Sequence, residues 1–331
     1  MNRTALVVFG SRTAEDKYGI TSGMRVAEAL KRRGWGVTTL HAANGRAVLR
    51  RLLEEPPDVV VPVGFGAPCE DGQICAVARL AGIPCSGPTP SAGGLMQDKS
   101  ALSRIVDGLF PPAMGIRSPR GHAFTNARPA EALASYIREL NPPLVVKPAF
   151  SGSSEGLLVV TSHDAALDAA TKLVVAEGKV LIQELEQPVL AEISCTVLDT
   201  ADGPLQLPIV ELKRDDVLVL GPEEKFGARA LNRHIVPAVL TSDVRARLRD
   251  AVRTLHNEVG SIGLTRTDAL VRPDGEIVLL EMNGIPGLLE CSIACDAARA
   301  AGISFEELAI QYAESAFIRR PEPQIWDSMP E

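Results

Sequence analysis

The segment "LTRTDALVRPDGEIVLLEMNG", residues 264–284, decides the fold of the C-terminal half of the chain. Two β-patterned runs flank a central Pro-Asp-Gly, and Asp-Gly is a favoured centre for a two-residue hairpin turn. With the turn at Asp274 and Gly275, the segment is predicted to form an antiparallel hairpin whose side chains alternate between two faces. We expect one face to pack on a core; it carries Val278, Leu280 and Met282.

Charged and amide side chains line the opposite face of this hairpin. The predicted register pairs Asp268 with Glu281, and it pairs Arg266 with Asn283, so all four project from one side. Opposed residues have Cβ atoms roughly 5 Å apart, and two facing carboxylates repel each other unless a cation compensates. These oxygen ligands suit a hard cation, which favours Mg²⁺ bound together with phosphate. The alternative is a solvated charged face that binds nothing.

A second informative stretch is "VVKPAFSGSSEGLLVV", residues 145–160, which reads as a strand, a break of small residues and another strand. Lys147 lies at the end of the first strand, and the break contains Gly152, Ser153, Ser154 and Gly156. Small residues let a backbone approach a ligand closely, so this break could cover phosphate groups. A flexible hairpin tip would have a similar composition, and the stretch alone leaves both interpretations open.

Short apolar strands alternate with helices in the first hundred residues. The predicted strands are "ALVVFG" (5–10), "GVTTLHA" (36–42) and "DVVVPVG" (58–64). This alternation predicts a parallel, doubly wound α/β sheet. Ligands of such sheets bind beyond the carboxyl ends of the strands, where loops 10–16 and 64–72 lie.

Composition and charge restrict the classes of partner. The chain has 331 residues, a net charge of −7 and no basic block, which argues against nucleic acid or an anionic membrane as the main partner. It contains no apolar run of membrane-spanning length, and the N-terminus enters a strand without a signal-peptide pattern, so we expect a cytoplasmic protein. The six cysteines lack metal-binding spacing and are expected to be reduced, and no histidine is assigned a catalytic role.

Six motifs, in order along nearly the whole chain, resemble the ATP-grasp enzymes and, more narrowly, the D-alanine–D-alanine ligase family. They are "GSRTAED" (10–16), "APCEDGQI" (67–74), "QDKSA" (97–101), "VVKPAFSGSSEG" (145–156), "EEKFG" (223–227) and "RTD…LEMNGIPG…S" (266–292). Each motif is weak alone, but their order makes coincidence improbable. The resemblance implies a doubly wound N-terminal domain followed by a two-lobed ATP-grasp domain, of mixed α/β and α+β class.

The resemblance also implies a set of site residues. Residues implied to contact ATP are Lys99, Lys147, Ser153, Gln183, Glu184, Leu185, Glu192 and Lys225. Those implied to take part in catalysis are Arg266, Ser154, Gly287 and Glu15. Those implied to contact the amino-acid substrates are Glu15, Phe65, Phe226, Cys291 and Ser292. Asp268, Glu281 and Asn283 are the implied metal ligands, for two Mg²⁺ ions that Mn²⁺ can replace.

Family chemistry then implies that ATP phosphorylates the carboxylate of one amino acid and that the amine of a second attacks the acyl phosphate. The product would be a dipeptide or related amide, and the enzyme would be a homodimer. Two alternatives are left open: the same activation followed by attack of a hydroxyl or an internal amine, or an inactive nucleotide-binding protein. We expect four parts: a substrate-binding domain over 1–90, a small lobe over 91–187, a large lobe over 188–318 and a loose tail over 319–331.

The departures from the family pattern are concentrated around the substrates. Phe65 and Cys291 stand where the family has histidine, Cys69 where it has glycine, and Phe226 where it has tyrosine. Gln183 stands where the family has a glutamate near the adenine. These changes leave the ATP and metal residues intact and make the amino-acid pocket less polar. They favour a ligase with substrates other than two D-alanines, although neutral drift in an ordinary cell-wall enzyme would look similar.

Overall fold

The computed structural model describes residues 3–10, 16–126, 130–152, 154–213 and 233–318. Within these ranges the chain forms three sheets, each with its own helices. No helix in this described part combines the length and the apolar character needed to cross a membrane. The mixed α/β and α+β class is confirmed.

The first sheet is parallel, in the order β2-β1-β3, as the alternating pattern predicted. Its strands are β1 (Thr4–Phe9), β2 (Gly36–His41) and β3 (Val59–Val63), and its helices are α1 (Asp16–Arg32), α2 (Gly45–Glu54) and α3 (Gln73–Leu80). Alternate residues of β1 enter two different cores. Val7 packs with Leu30 of α1, whereas Leu6 packs with Val48 of α2 and Ile74 of α3, so helices cover both faces.

The second sheet is antiparallel, in the order β5-β8-β6-β7, and we call it with its helices the small lobe. Its strands are β5 (Gly121–Thr125), β6 (Leu144–Pro148), β7 (Leu158–Val160) and β8 (Lys179–Glu184), and its helices are α6 (Ala130–Arg138) and α7 (His163–Glu177). The helices pack on one face of the sheet through a core that includes Leu144, Ile182 and Ala170. The opposite face is left for the neighbouring lobe.

The third sheet has seven strands in the order β12-β11-β9-β13-β14-β4, with β10 paired to β9, and forms the large lobe. Its strands are β4 (Ile116–Arg117), β9 (Ala191–Thr200), β10 (Gly203–Gln206), β11 (Val210–Leu212), β12 (His234–Ile235), β13 (Leu264–Val271) and β14 (Ile277–Asn283). Its helices are α4 (Pro90–Gln97), α5 (Lys99–Leu109), α8 (Ser242–Glu258), α9 (Ile293–Ala300) and α10 (Phe305–Glu314). The expected small lobe over 91–187 includes α4, α5 and β4, but these three elements join the core and the sheet of the large lobe. Helix α10 also contacts the first sheet, because the Tyr312 hydroxyl donates a hydrogen bond to the Pro62 carbonyl at 2.8 Å.

The hairpin β13–β14 has the predicted pairs at its functional end but not the predicted turn. Asp268 lies opposite Glu281, as expected. The loop is longer than two residues, because Arg272 N–H bonds to the Glu276 carbonyl across it. An irregularity after Asp268 leaves Leu280 as an extra residue on β14 and restores the predicted register. As a second correction, Leu280 lines the cleft between the lobes instead of the core, because this extra residue shifts the alternation of the strand.

The expectation that all cysteines are reduced is also wrong in this structure. Cys75 on α3 and Cys85 form a disulfide, with their Cα atoms 5.4 Å apart. A turn after α3 at Gly82, with φ of +71°, returns the chain so that Cys85 pairs with Val60 beside the helix. Sequence spacing alone could not reveal this return. The free cysteines are Cys69, Cys195, Cys291 and Cys295.

Candidate active site

The acidic face of the β13–β14 hairpin is held together by direct contacts. Arg266 donates hydrogen bonds from Nε to Asp268 Oδ1 at 2.9 Å and from Nη2 to Asp268 Oδ2 at 2.8 Å. Ser194 of the neighbouring strand β9 donates to the same carboxylate at 2.5 Å, and Asn283 Nδ2 lies 3.5 Å from it. The alternation of the strands thus gathers these polar side chains at one end of the hairpin. Ser194 belongs to none of the motifs, and no sequence signal marks it.

The electrostatic balance at this face favours a charged Arg266. Burial lowers the pKa of the guanidinium, but the charges of Asp268 and Glu281 outweigh burial and raise its pKa above the ordinary value. Arg266 Nη2 lies 4.0 Å from Glu281 Oε1. A fixed positive charge therefore lies between two carboxylates.

Lys99 reaches the same face from the other side. It is the first residue of α5, which begins here because Asp98 caps the helix by accepting from the backbone N–H groups of Ser100 and Ala101. Lys99 Nζ lies 3.4 Å from Glu281 Oε2 and donates to the Ser151 carbonyl in the predicted phosphate-covering loop. Lys99 therefore joins the predicted phosphate-covering loop to the acidic face of the β13–β14 hairpin.

A cleft between the two lobes is lined by nine of the 19 residues that the family resemblance selected. Its lining includes Lys99, Lys147, Ser154, Gln183, Glu184, Leu185, Glu192, Asp268 and Glu281. An apolar wall that sequence reasoning did not assign to the site is formed by Val145, Leu157, Leu270 and Leu280. A cleft with this polar end and apolar wall is suited to a ligand that has a flat apolar part and a charged part.

The predicted adenine contacts lie at the end of the cleft near β8. Gln183 is buried, and the next side chain, Glu184, accepts hydrogen bonds from Asn141 and forms an ion pair with Arg120. The Leu185 N–H donates to the Pro143 carbonyl at 2.9 Å. Gln183 is therefore the better candidate of the two neighbouring polar side chains for a contact inside the cleft.

A second cavity borders the acidic face of the β13–β14 hairpin. It is lined by Lys99, Glu281 and Asn283 together with Glu70 of the N-terminal domain. Glu70 is positioned by the Gly66 N–H, which donates to it at 2.8 Å. The carboxyl end of β3 thus faces the hairpin, as expected for a ligand site at the end of a parallel sheet.

Gly287, Phe65 and Ser292 form the neighbouring wall. A Cβ added to Gly287 would lie 3.0 Å from Ser292 Oγ and 3.2 Å from Phe65 Cζ, so the backbone here lies close to both side chains. The Ser292 hydroxyl accepts from the Leu289 N–H at 2.9 Å. Cys291 is half-buried, and burial is the main cause that raises the pKa of its thiol. Charged side chains also act on this wall, because Arg25, Glu290 and Asp296 lie close enough to Cys291 to affect the pKa of its thiol.

Four predicted site residues cannot be placed. Glu15, Ser153, Lys225 and Phe226 lie outside the described residues, as does the predicted tail over 319–331. Their roles stay predictions. Cys69, which the sequence singled out as a departure, is buried, and burial raises the pKa of its thiol.

The donor set of the hairpin fits a hard divalent cation. Asp268 and Glu281 supply carboxylate oxygens, and Asn283 supplies an amide oxygen, which are the ligand types that Mg²⁺ takes together with water and phosphate. In the described ranges no cluster of three or more His, Cys, Asp or Glu could hold a metal ion. The site would therefore depend on the amide and on ligand oxygens as well as on the two acids.

Comparison with known proteins identifies the family of this chain. A family model described as the D-ala D-ala ligase C-terminus matches residues 114–313. A D-alanine–D-alanine ligase of Gloeobacter violaceus is 31% identical over 302 residues, covering 91% of this chain and 95% of the relative. Another, from Azorhizobium caulinodans, is 30% identical over 326 residues, covering 97% and 100%.

Solved structures share the fold. A D-alanine–D-alanine ligase from Bacillus anthracis complexed with ATP gives a TM-score of 0.76 at 21% identity, covering 95% of this chain and 97% of that one. A D-alanyl-alanine synthetase A from Vibrio cholerae gives 0.78 at 20% identity, covering 96% and 99%. With the family model and the curated relatives in agreement over most of its length, the chain belongs to the D-alanine–D-alanine ligase family of ATP-dependent ligases.

Proposed function

We propose that this chain joins two amino acids into a dipeptide, using ATP to activate the carboxylate of the first as an acyl phosphate. The observation that supports this most directly is one cleft lined by Lys99, Lys147, Asp268 and Glu281, with Arg266 bonded to the Asp268 carboxylate. Two cations suited to phosphate and a paired set of acids suited to a divalent ion are the requirements of phosphoryl transfer. The relatives named above are D-alanine–D-alanine ligases, and one neighbouring structure contains ATP.

ATP would lie along the cleft, with its base against the apolar wall. Gln183 at the β8 end would contact the base, whereas Lys99 and Lys147 would neutralise the phosphates. Lys99 enters from α5 and Lys147 from β6, so the phosphates would be held between the two lobes. Cations placed on both sides of the transferred group stabilise the charge that spreads over its oxygens.

Asp268, Glu281 and Asn283 would hold Mg²⁺, in the two-ion arrangement implied for the family. The bound ion supplies charge neutralisation at the phosphate oxygens. Arg266 already contacts Asp268, so its guanidinium orients that carboxylate within the ligand set.

The chain's own residues would then act on the second step. The carboxylate oxygen of the first amino acid bonds to the γ-phosphorus and ADP leaves; the amine of the second then attacks the acyl carbon. Arg266 and the Gly287 N–H would stabilise the tetrahedral oxyanion until phosphate departs and the amine loses its proton. Enclosure of the site matters because water would otherwise hydrolyse the acyl phosphate.

We propose that at least one substrate differs from D-alanine. Phe65 lies against Gly287, and half-buried Cys291 precedes Ser292, so two positions where the family has histidine carry less polar side chains here. An apolar wall gains affinity for an apolar side chain by burying it, at about 25 cal/mol per Å².

We propose a cytoplasmic location for the enzyme, because ATP and amino acids are both supplied there. The family resemblance supports a homodimer, which gel filtration with light scattering would test.

The deciding experiment is a panel of D-amino acids, L-amino acids and hydroxy acids, incubated with ATP and Mg²⁺. Phosphate release would be followed, and mass spectrometry would identify the products. We expect phosphate release that needs two amino acids, together with a dipeptide mass. An ester, or a ring formed from one substrate, would instead identify another acceptor; ATP binding without any phosphate release would indicate an inactive protein.

A further inference from the structure

Asp98 makes two kinds of contact with its two carboxylate oxygens. Oδ1 accepts from the Ser100 N–H at 3.0 Å and thereby caps α5. Oδ2 accepts from Lys179 Nζ at 2.5 Å. The first contact starts the helix whose first residue is Lys99, and the second connects that start to another part of the fold.

Lys179 belongs to the other lobe. It is the first residue of β8 and pairs with Thr125 in the four-stranded sheet. Helix α5, in contrast, buries Leu102 and Val106 in the core of the large lobe. The Asp98–Lys179 pair therefore spans the interface between the lobes. The side chains of Lys179 and Asp98 are only 16% and 19% exposed, which limits screening by solvent.

Backbone hydrogen bonds beside this ion pair also connect β8 to the start of α5, through Ala149. The Ala149 N–H donates to the Lys179 carbonyl at 3.2 Å, and the Lys99 N–H donates to the Ala149 carbonyl at 3.3 Å. Lys147 lies two residues before Ala149 and pairs with Leu181 on β8. The two lysines suited to phosphate are thus linked through the segment that Lys179 holds against α5.

We propose that Asp98 and Lys179 are positioning residues for nucleotide binding. Their ion pair fixes the N-terminus of α5 against β8, which sets the separation of Lys99 and Lys147 on either side of the ATP phosphates. The helix cap does not depend on Lys179, because only Oδ1 of Asp98 makes the capping contact. An asparagine at position 98 would cap the helix equally well. The charge on Oδ2 is used for the interlobe pair. This inference rests on the proposed function.

The test is the affinity for a non-hydrolysable ATP analogue with Mg²⁺, measured by calorimetry, followed by kcat and KM for ATP and for the amino acids. Lys179→Met keeps most of the length of the side chain and removes its charge. We expect the Kd for the analogue and the KM for ATP to rise about tenfold, while the KM for the amino acids changes less than about twofold. Lys179→Arg should restore most of the loss, since it keeps the charge.

Asp98→Asn provides a second variant, because it retains the helix cap and loses the ion pair; it should show the same rise in KM for ATP. The double variant should be no worse than either single one, as expected when two residues act as one unit. Lys31→Met, which breaks an exposed pair with Glu28 on α1, is the matched control and should leave all constants unchanged.

Unchanged ATP affinity in both Lys179→Met and Asp98→Asn would overturn the inference, as would equal changes in the KM for ATP and for the amino acids. Failure of Lys179→Arg to restore affinity would also contradict it. If the unaltered chain binds no ATP analogue, the proposed function itself fails, and this outcome is separate from the other three.

Discussion

Arg266 and Asp268 lie two residues apart on the same face of β13 and share a forked pair of hydrogen bonds, at 2.9 and 2.8 Å. The proposed metal ligand is therefore oriented by the proposed oxyanion arginine. Lysine cannot form this fork, so Arg266→Lys should lower kcat by about 10²- to 10³-fold, the range found when one oxyanion donor is lost. Because the lost fork also orients the proposed metal ligand Asp268, the KM for ATP should rise as well. Steady-state phosphate release would measure both constants.

Arg253→Lys is the control for that substitution. Arg253 pairs with Asp250 on the exposed face of α8, and its replacement should not alter kcat. An Arg266→Lys enzyme with kcat within about threefold of the parent would remove Arg266 from the catalytic step.

Divalent-ion dependence should change when a hairpin acid is neutralised. Asp268→Asn and Glu281→Gln each retain size, but each replaces one acceptor oxygen by a donor and removes one negative charge from the proposed ligand set. We expect the Mg²⁺ concentration for half-maximal rate to rise at least about tenfold in each variant, and chelation by EDTA to abolish turnover of the parent. Asp202→Asn, in the exposed β9–β10 turn, is the control. Unaltered ATP turnover in both hairpin variants would exclude this metal site.

A second interlobe network predicts a stability effect. Glu186 follows β8 and accepts two hydrogen bonds from Arg117 of β4, at 2.7 and 2.9 Å, and one from Arg272 at 3.1 Å. Glu186 is buried, so Glu186→Ala leaves two arginines without this partner and should lower the free energy of unfolding by about 3 kcal/mol. Urea denaturation would measure the change.

An exposed pair supplies the comparison for Glu186. Glu306→Ala removes the partner of Arg32 at the surface and should cost less than about 1 kcal/mol. Equal effects of the two substitutions would mean that the Glu186 network contributes no more than an ordinary surface ion pair.

The sequence predicted the part of the site that depends on the local geometry of one hairpin. Strand alternation fixes which side chains share a face, so the pairing of Asp268 with Glu281 was predicted correctly even though the turn was not. The longer loop and the extra Leu280 compensate for each other, and no residue pattern announces such an irregularity. Correct pairing here thus depended on two deviations that cancel.

Contacts between distant segments were beyond the reach of sequence patterns. Ser194 contacts Asp268 because β9 and β13 are neighbours in the sheet, and Lys179 contacts Asp98 because the lobes meet there. Motifs describe residues that are close along the chain, whereas these pairs depend on strand order and lobe packing. The Cys75–Cys85 disulfide joins residues only 10 apart, and it was missed because it depends on the turn at Gly82 after α3.

Acid should weaken the Asp98 contact. Burial raises the pKa of this carboxyl, but the Lys179 and Ser100 hydrogen bonds outweigh burial and bring its pKa below the ordinary value of 3.8. A pKa that is lower in the folded state gives stability that is complete above the unfolded value and is lost as the pH falls through the folded one. The stability difference between the parent and Asp98→Asn should therefore be constant above about pH 5 and shrink below about pH 4. Urea denaturation at pH 3 to 7 would show this, and a constant difference throughout would contradict it.

The close contact between Gly287 and Phe65 predicts a rescue. Gly287→Ala would place a methyl group 3.2 Å from Phe65 Cζ and 3.0 Å from Ser292 Oγ, tighter than ordinary contact, so the wall must move. We expect kcat/KM for the amino acids to fall about tenfold or more, because small displacements of catalytic groups are costly. Phe65→Leu removes the ring atoms that the new methyl group meets. Gly287→Ala should therefore lower kcat/KM for the amino acids less in the Phe65→Leu background, giving the double variant, than in the parent enzyme. Gly45→Ala, where no atom lies within 4 Å, is the control for a glycine-to-alanine change. Strictly additive losses in the double variant would show that Phe65 does not limit the space at Gly287.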